Sequence, residues 1–430
     1  MKNFIDELKW RGMLQDIIPG TEEHLNKNKS LGYIGFDPTS DSLHVGSLVP
    51  IFILMHFQKY GHTPVVLLGG ATGMIGDPSG KSSERNLLDE KTLRQNEHCL
   101  KKQLSSFLSF EDKSKNHALL LNNYDWMKKI SFLEFIRDIG KHITVNYMMS
   151  KDSVKNRISS DSGNGMSFTE FTYQMVQGFD FLFLSRNNKC SIQMGGSDQW
   201  GNITTGTELI RRIDKGKGYA LTCPLITKSD GSKFGKSEDG NIWLDSQKTS
   251  VYKFYQYWLN SSDVDAKNYI KIFTFLSKEV IEKLIVDHEA NPHLRILQKK
   301  LASEITEIVH STDELNNAVK ASEILFSKDF LKEIQEIDEQ VFLDIFEGVT
   351  TCEISGDEIK NGLDIIKSLS EISGFLSSNS EARRALKENS ISVNKTKVNE
   401  SYKLTNADLI NNKYIVLNRG KKKTFIIKVG

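Results

Sequence analysis

Cysteine is scarce in this chain, with four in 430 residues. Cys99, Cys190, Cys223 and Cys352 are scattered, without a CxxC pair or a histidine-rich neighbourhood, which argues against both a zinc site and a disulfide framework. Long apolar runs are also missing. The most apolar stretch, at residues 49–55, falls far short of the ~20 residues that cross a bilayer. Asp6 and Glu7 interrupt any apolar core near the start, so no secretory leader is expected. Scattered thiols and no leader point to a reducing cytoplasm. What remains is ordinary globular material, 38% hydrophobic and 26% charged. At ~150 residues per domain the chain should hold two or three, each able to bury a core without staples. Secreted, membrane, collagenous and disordered classes are excluded.

Neither sign of charge dominates overall, since the net is +1. The distribution is nevertheless uneven. Residues 381–430 carry 12 Lys/Arg against 4 Asp/Glu, while residues 329–360 carry 2 against 10. A basic terminal unit behind an acidic stretch points to a polyanion partner for that unit alone, or to a solvated basic tail.

The first ~245 residues alternate short apolar runs with helical patterns, the mark of a parallel α/β architecture. Residues 31–36, 64–68 and 190–194 read as strands, each running into a Gly-rich turn and then a helix. Ligands gather where such turns leave the carboxyl ends of parallel strands. From residue 249 to about 345 the pattern is helical. Residues 347–358 (EGVTTCEISGDE) read as a linker. The last ~70 residues hold two short helical patterns and then strands, with Asn418-Arg419-Gly420-Lys421 as a hairpin turn. No internal repeat or low-complexity tract is present.

Five segments carry polar chemistry. GFDPTSDSLHVG, residues 35–46, links a strand to an apolar helix, with Ser42 or Asp41 as its expected cap. Its free amides and His44 suit an anion, and Gly46 lets a planar ring lie on the backbone; an incidental histidine beside a capped helix is the plainer reading. GGATGMIGDPSGK, residues 69–81, imitates a phosphate-binding P-loop but fails it. Only three residues separate Gly76 from Gly80, and Pro78 removes an amide. It offers Asp77, Lys81 and Arg85 to something polar.

FTEFTYQMVQGFD, residues 168–180, follows Ser167, which forms an S-x-x-E capping box with Glu170. Tyr173, Gln177 and Asp180 then share one helix face, facing either solvent or a polar pocket. QMGGSDQWGN, residues 193–202, leaves a strand for a helix that ends in Arg211 and Arg212, and places Asp198 where a ribose hydroxyl could be held. SDGSKFGKS, residues 229–237, is a Gly-punctuated loop whose Lys233 and Lys236 could neutralise transferring phosphates or simply face solvent.

In this order, the His44-Val45-Gly46-Ser47 turn and the Lys233-Phe234-Gly235-Lys236-Ser237 loop resemble the paired signatures of class I aminoacyl-tRNA synthetases. All five segments together resemble the bacterial tyrosyl branch of that family, over nearly the whole chain. Residues 361–430, with Arg383 and Arg384, resemble a small RNA-binding module that also occurs in a small-subunit ribosomal protein. The resemblance implies an α/β fold: a Rossmann-like catalytic domain at 1–246 with a dimer-interface insertion at about 122–165. An α-helical anticodon-side domain at 247–346, a linker at 347–360 and an α+β RNA-binding domain at 361–430 would follow.

The implied reaction activates L-tyrosine with ATP, carrying Mg2+, and transfers it to the 3′ end of tRNA(Tyr). No protein-bound metal is expected, and a homodimer is, through residues around 132–149. By motif, Tyr33 and Asp180 would meet the tyrosine hydroxyl, and Asp77, Tyr173 and Gln177 its ammonium. Gln193 and Gln199 would complete that pocket. Gly35, Asp37, Gly46, Ser47, Gly196 and Asp198 would bind ATP, and Thr39, His44, Lys233, Lys236 and Ser237 would act on its phosphates. Arg211, Arg212, Arg383, Arg384, Lys421, Lys422 and Lys423 would meet tRNA. Two positions depart from the commoner signature, Ser47 in place of its last histidine and Pro50 in the following helix. A tryptophan-specific relative should lack the Tyr33/Asp180 pairing and the terminal module, and a non-catalytic RNA-binding paralogue should lose His44 or the loop lysines.

Overall fold

The computed structural model describes residues 3–79, 87–111, 115–158, 165–232, 234–237, 240–324, 330–420 and 423–430. They form two compact units. One comprises Met1–Thr249 and Tyr257–Val309, the other Ser250–Gln256 and His310–Gly430.

The first unit is built on strands β1 (Leu31–Phe36), β2 (Thr63–Leu68), β3 (Leu119–Asn122), β4 (Cys190–Gly196) and β5 (Tyr219–Cys223). They form a parallel sheet in the order β3-β2-β1-β4-β5. Both faces are covered, so the strands are nearly continuous apolar runs, as in Val65, Val66, Leu67 and Leu68, all buried. Strand order reverses between β1 and β4, which opens a crevice at their carboxyl ends. The turns that follow β1, β2 and β4 all empty into it. Helix Leu48–Lys59 begins after a tight turn, Val45–Ser47. Pro50 therefore sits in the first helical turn, where its missing N–H has no partner to lose. Helix Phe168–Asn188 opens on the expected capping box between Ser167 and Glu170. Glu170 also pairs with the buried Arg157, which fixes the start of this helix.

The expected cap of the first signature is different in the structure. Asp41 pairs with Lys248, and the Ser42 hydroxyl donates to Leu43 O and accepts from Gln103. The cap is His44, whose Nδ1 accepts from Gly46 N at 3.0 Å. An imidazole nitrogen offers the same lone pair as a serine oxygen, at longer reach. In the later part of the loop, β6 (Lys236–Ser237) pairs antiparallel with β7 (Gly240–Asn241). Helices Asp263–Ile272, Lys278–Ala290 and Ile296–Val309 complete the unit.

The second unit corrects the linker expected at 347–360. Residues 351–354 form β8 (Thr351–Ile354), parallel to the last strand, and helix Gly356–Lys360 follows at once. A short ladder joins β9 (Leu363–Asp364) to β12 (Lys403–Leu404). The main sheet adds β10 (Ile391–Val393), β11 (Thr396–Lys397), β13 (Tyr414–Arg419) and β14 (Lys423–Val429), in the order β11-β10-β13-β14-β8. The β13–β14 pairing is the expected hairpin. Side chains alternate along it. Ile415, Leu417, Phe425 and Ile427 enter one core with Ala382, Ala385 and Leu386 of helix Asn379–Lys387. Tyr414, Val416 and Ile426 enter another with Ile324, Phe330, Phe342 and Phe346. Two covered faces explain why these strands lack polar alternation, and why residues 310–346 pack with the C-terminal module. The acidic 347–358 stretch is polar because β8 is an edge strand, with Thr351 and Glu353 exposed.

Candidate active site

The crevice holds a cavity of about 220 Å³ lined by Tyr33, Gly35, Asp37, Asp77, Tyr173, Gln177, Asp180, Gln193, Gly196 and Gln199. Tyr33 and Gln193 are register partners on β1 and β4. The Tyr173, Gln177 and Asp180 face of helix Phe168–Asn188 therefore lines a pocket and does not face solvent.

One end of the polar set centres on Asp180. This carboxylate is 1% exposed and accepts from Asn123 Nδ2 at 2.8 Å and Trp126 Nε1 at 2.9 Å. Burial pushes its pKa up to about 7, against the pull of those two donors. Burial, with Asp180 nearby, raises the Tyr33 phenol well above its ordinary value, so it stays protonated. Three buried polar atoms of the cavity lining, Tyr33 Oη, Gln177 Oε1 and Gln193 Oε1, have no hydrogen-bond partner among the described residues. Such atoms are costly to leave unpaired, at about 1–3 kcal/mol each, and a polar ligand relieves that cost.

A second set surrounds two carboxylates. Asp37 accepts from Tyr173 Oη at 2.7 Å and Thr72 Oγ1 at 2.6 Å. Asp77 accepts from Gln199 Nε2 at 2.6 Å and from Ser79 N at 3.0 Å. Asn123 bridges the two sets, since its Nδ2 also lies 3.1 Å from Thr72 Oγ1. Two anchored anions in one small cavity suit an ammonium group.

Of the nucleotide-side candidates, Gly35, Asp37 and Gly196 line the cavity itself. Because His44 Nδ1 accepts from Gly46, its Nε2 carries the proton and is a donor. Asp198 follows β4 directly, accepts from Gln199 Nε2 at 3.2 Å, and has its pKa raised by burial. A Cβ on Gly196 would stand 2.5 Å from Asp198 Oδ1, so glycine there makes room for that carboxylate. Thr39 is exposed on the turn after β1, and Ser47 N donates to His44 O at 2.8 Å. Lys236 and Ser237 contribute the backbone of β6. Lys233, Lys81 and Arg85 lie outside the described residues.

The expected tRNA contacts are dispersed. Arg211 and Arg212 both pair with Glu208, and Arg212 also donates to His142 O at 2.8 Å. Their two guanidiniums hold the Glu208 carboxyl down at about 2. Arg383 and Arg384 are exposed on helix Asn379–Lys387, and Lys423 is exposed at the start of β14. Lys421 and Lys422 lie outside the described residues. Among the described residues, no group of three or more His, Cys, Asp or Glu side chains is placed to hold a metal ion, and no helix is long and apolar enough to cross a membrane.

Asn123 and Trp126 are site residues outside the motifs, and Thr72 lies inside residues 69–81 but is not distinguished there by its chemistry. A signal for Asn123 exists, because it stands just past the apolar run Leu119–Asn122, at the same carboxyl edge as the recognised motifs.

A parallel sheet with this strand order, a His-x-Gly turn after β1 and a Lys-rich loop define a class I aminoacyl-tRNA synthetase. Residues 25–327 match the family described as tRNA synthetases class I (W and Y), and residues 342–427 match the tyrosine–tRNA ligase SYY-like C-terminal domain. The tyrosine–tRNA ligase of Flavobacterium johnsoniae is 60% identical over 100% of both chains, and that of Bacteroides thetaiotaomicron 56% identical over 99% of both. A C-terminally truncated mitochondrial tyrosyl-tRNA synthetase of Aspergillus nidulans superposes with a TM-score of 0.68 at 32% identity, covering 76% of this chain and 95% of that one. The chain belongs to the tyrosine–tRNA ligase family.

Proposed function

We propose that this chain activates L-tyrosine with ATP and then esterifies the 3′ end of tRNA(Tyr). The observation that carries the amino-acid reading is the cavity with Tyr33 Oη unpartnered and the Asp180 carboxylate beside it. A phenolic hydroxyl entering there would donate to Asp180 and accept from Tyr33, which leaves neither buried group idle. Asp77, Tyr173 and Gln177 would take the ammonium. Phenylalanine would leave the hydroxyl partners unpaired, and tyrosyl enzymes are themselves a familiar instance of that rule.

In the first step the tyrosine carboxylate attacks the α-phosphorus of ATP in line, forming tyrosyl-AMP and releasing pyrophosphate. No protein nucleophile is required, so positioning and charge stabilisation supply the rate. Asp198 would hold the ribose, Gly46 would let the adenine approach, and His44 Nε2–H, Thr39 and the loop lysines would stabilise charge on the phosphates. Mg2+ would arrive on the nucleotide and screen the same charge. In the second step a ribose hydroxyl of the tRNA terminus attacks the adenylate carbonyl and AMP leaves. Arg383, Arg384 and Lys423 would meet tRNA phosphates, and Arg211 and Arg212 would do so near the site. These substrates put the work in the cytoplasm.

We also propose a homodimer. Phe132, Leu133, Ile136, Val145 and Met149 are all exposed within residues 132–149, and Phe168 is exposed on a neighbouring element. An apolar cluster of this kind marks a protein interface. Sedimentation at micromolar concentration should give a dimer, and Leu133→Glu should give a monomer.

The decisive test of function is tyrosine-dependent exchange of pyrophosphate into ATP, followed by tRNA charging. Exchange with tyrosine and not with tryptophan is expected. Exchange with tryptophan would favour the tryptophan-specific reading, and none at all the non-catalytic one.

A further inference from the structure

The middle of the lysine loop is not loose. The Phe234 ring stacks on Phe273 at 5.5 Å with planes 9° apart, and meets Tyr269, Trp258 and Tyr257 at 5.2, 5.9 and 6.2 Å. Directly after it, Gly235 N donates to Tyr257 Oη at 3.0 Å. Gly235 O accepts from Ile242 N at 3.0 Å, and Ile242 O accepts from Val45 N at 2.9 Å. The loop and the His44 turn are thus two hydrogen bonds apart through a single residue. They also touch directly. Gly235 has φ +83°, and a Cβ there would stand 3.0 Å from Val45 Cγ2 and 3.4 Å from Gly46 N.

We infer that Tyr257 is a positioning residue for the phosphate chemistry: its hydroxyl, with the aromatic cage around Phe234, pins Gly235 against the His44 turn. This inference rests on the reading of Lys233 and Lys236 as phosphate-charge groups. In the sequence Lys233 immediately precedes the pinned pair Phe234-Gly235 and Lys236 immediately follows it. The anchor is built for direction as well as adhesion. An aromatic cage fixes where Phe234 sits, but rings slide and tilt over each other at little cost. The hydrogen bond from Gly235 N to Tyr257 fixes the rotation of the Phe234–Gly235 peptide, and Ile242 N on Gly235 O holds the next peptide, which leads into Lys236. Tyr257 touches no substrate in this scheme and acts only through the loop.

The test is single-turnover tyrosyl-adenylate formation on the intact chain, with equilibrium tyrosine binding and Tm on the same preparations. Tyr257→Phe keeps the ring and removes the hydrogen bond, so adenylate formation should slow about three- to tenfold. Tyrosine affinity should stay within about twofold and Tm should fall only slightly, because the loop keeps its other anchors while the lysine it positions acts in the transition state. Lys236→Ala should slow the same step. In the double variant Tyr257→Phe should cost markedly less than it does alone, because its effect passes through the lysine. A normal rate for Tyr257→Phe beside a slow Lys236→Ala would overturn the positioning role while leaving the phosphate role intact. A normal rate for Lys236→Ala would overturn the phosphate role itself. Full additivity in the double variant, or a fall in Tm and tyrosine affinity that matches the rate loss, would show Tyr257 to be merely structural.

Discussion

Asn123 Nδ2 donates to Asp180 Oδ2 at 2.8 Å, tying the end of β3 to the middle of helix Phe168–Asn188. With Trp126 on the other oxygen, the carboxylate is held from two sides. Each oxygen keeps a second lone pair for a ligand. Asp180 is thus preorganised as an acceptor before any substrate arrives.

Asp180→Ala should weaken tyrosine use more than ATP use. Losing a hydrogen bond to a charged acceptor is worth about 10- to 100-fold in kcat/KM for tyrosine. Discrimination against phenylalanine should fall with it, while the KM for ATP changes little. Pyrophosphate exchange with each amino acid checks this, with circular dichroism to confirm folding. Equal losses for tyrosine and ATP would contradict it.

The same residue makes stability pH-dependent. Its carboxyl rises from an ordinary 3.8 to about 7 in the fold, so between those values the folded state holds a proton that the unfolded chain has released. Stability from this group is therefore full below about pH 4 and declines as pH rises towards 7. Asp180→Asn removes the titration. The urea midpoint of the tyrosine-free variant should vary less between pH 4.5 and about 7.5 than that of the parent. Parallel pH profiles for the two proteins would refute the assignment.

Strands with a strong apolar signature are legible in the sequence, as are the turns after them. β1 lies where residues 31–36 place it, and the capping box at Ser167 opens its helix as expected. Two kinds of feature are not. β3 and β5 are short, and their apolar runs are too brief to separate from a helix segment by periodicity. The hold on Asp180 by Asn123 and Trp126 depends on residues brought together across the fold, which no local spacing reveals, while the cap at His44 is local but uses a side chain outside the usual capping set. The stretch at 347–358 misleads for a related reason. Its polar composition is that of an edge strand, whose outward side chains look like those of a connector.

Gly46→Ala should slow adenylate formation with tyrosine binding unchanged. The new Cβ would stand 2.6 Å from His44 Cε1 and 2.9 Å from Nδ1, so the ring must turn away and the 3.0 Å bond from Gly46 N is lost. The rate should fall about tenfold or more, since a displaced donor no longer meets the developing charge. Stopped-flow adenylate formation at saturating tyrosine measures it. An unchanged rate would show that His44 does not act on the phosphates.

A basic C-terminal module should matter for tRNA and not for the adenylate, but removing it is a poor test. Cutting after residue 350 would strip Phe342 of Tyr414, whose rings stack at 4.7 Å, and expose the apolar cluster they share with Val416 and Ile426. Lost charging could then reflect misfolding. Charge reversal on the intact chain avoids this. Arg383 and Arg384 are exposed on helix Asn379–Lys387, while its neighbours Ala382 and Ala385 are fully buried, so the two arginines can change sign without disturbing the core. Arg383→Glu with Arg384→Glu should leave pyrophosphate exchange intact and weaken tRNA binding. Each lost phosphate contact lowers the slope of log affinity against log salt by about 1, so the parent should show the steeper dependence by up to about 2. If the basic residues served only solubility, charging and its salt dependence would match the parent at every salt concentration. Equal slopes with undiminished charging would therefore remove these arginines from the tRNA interface.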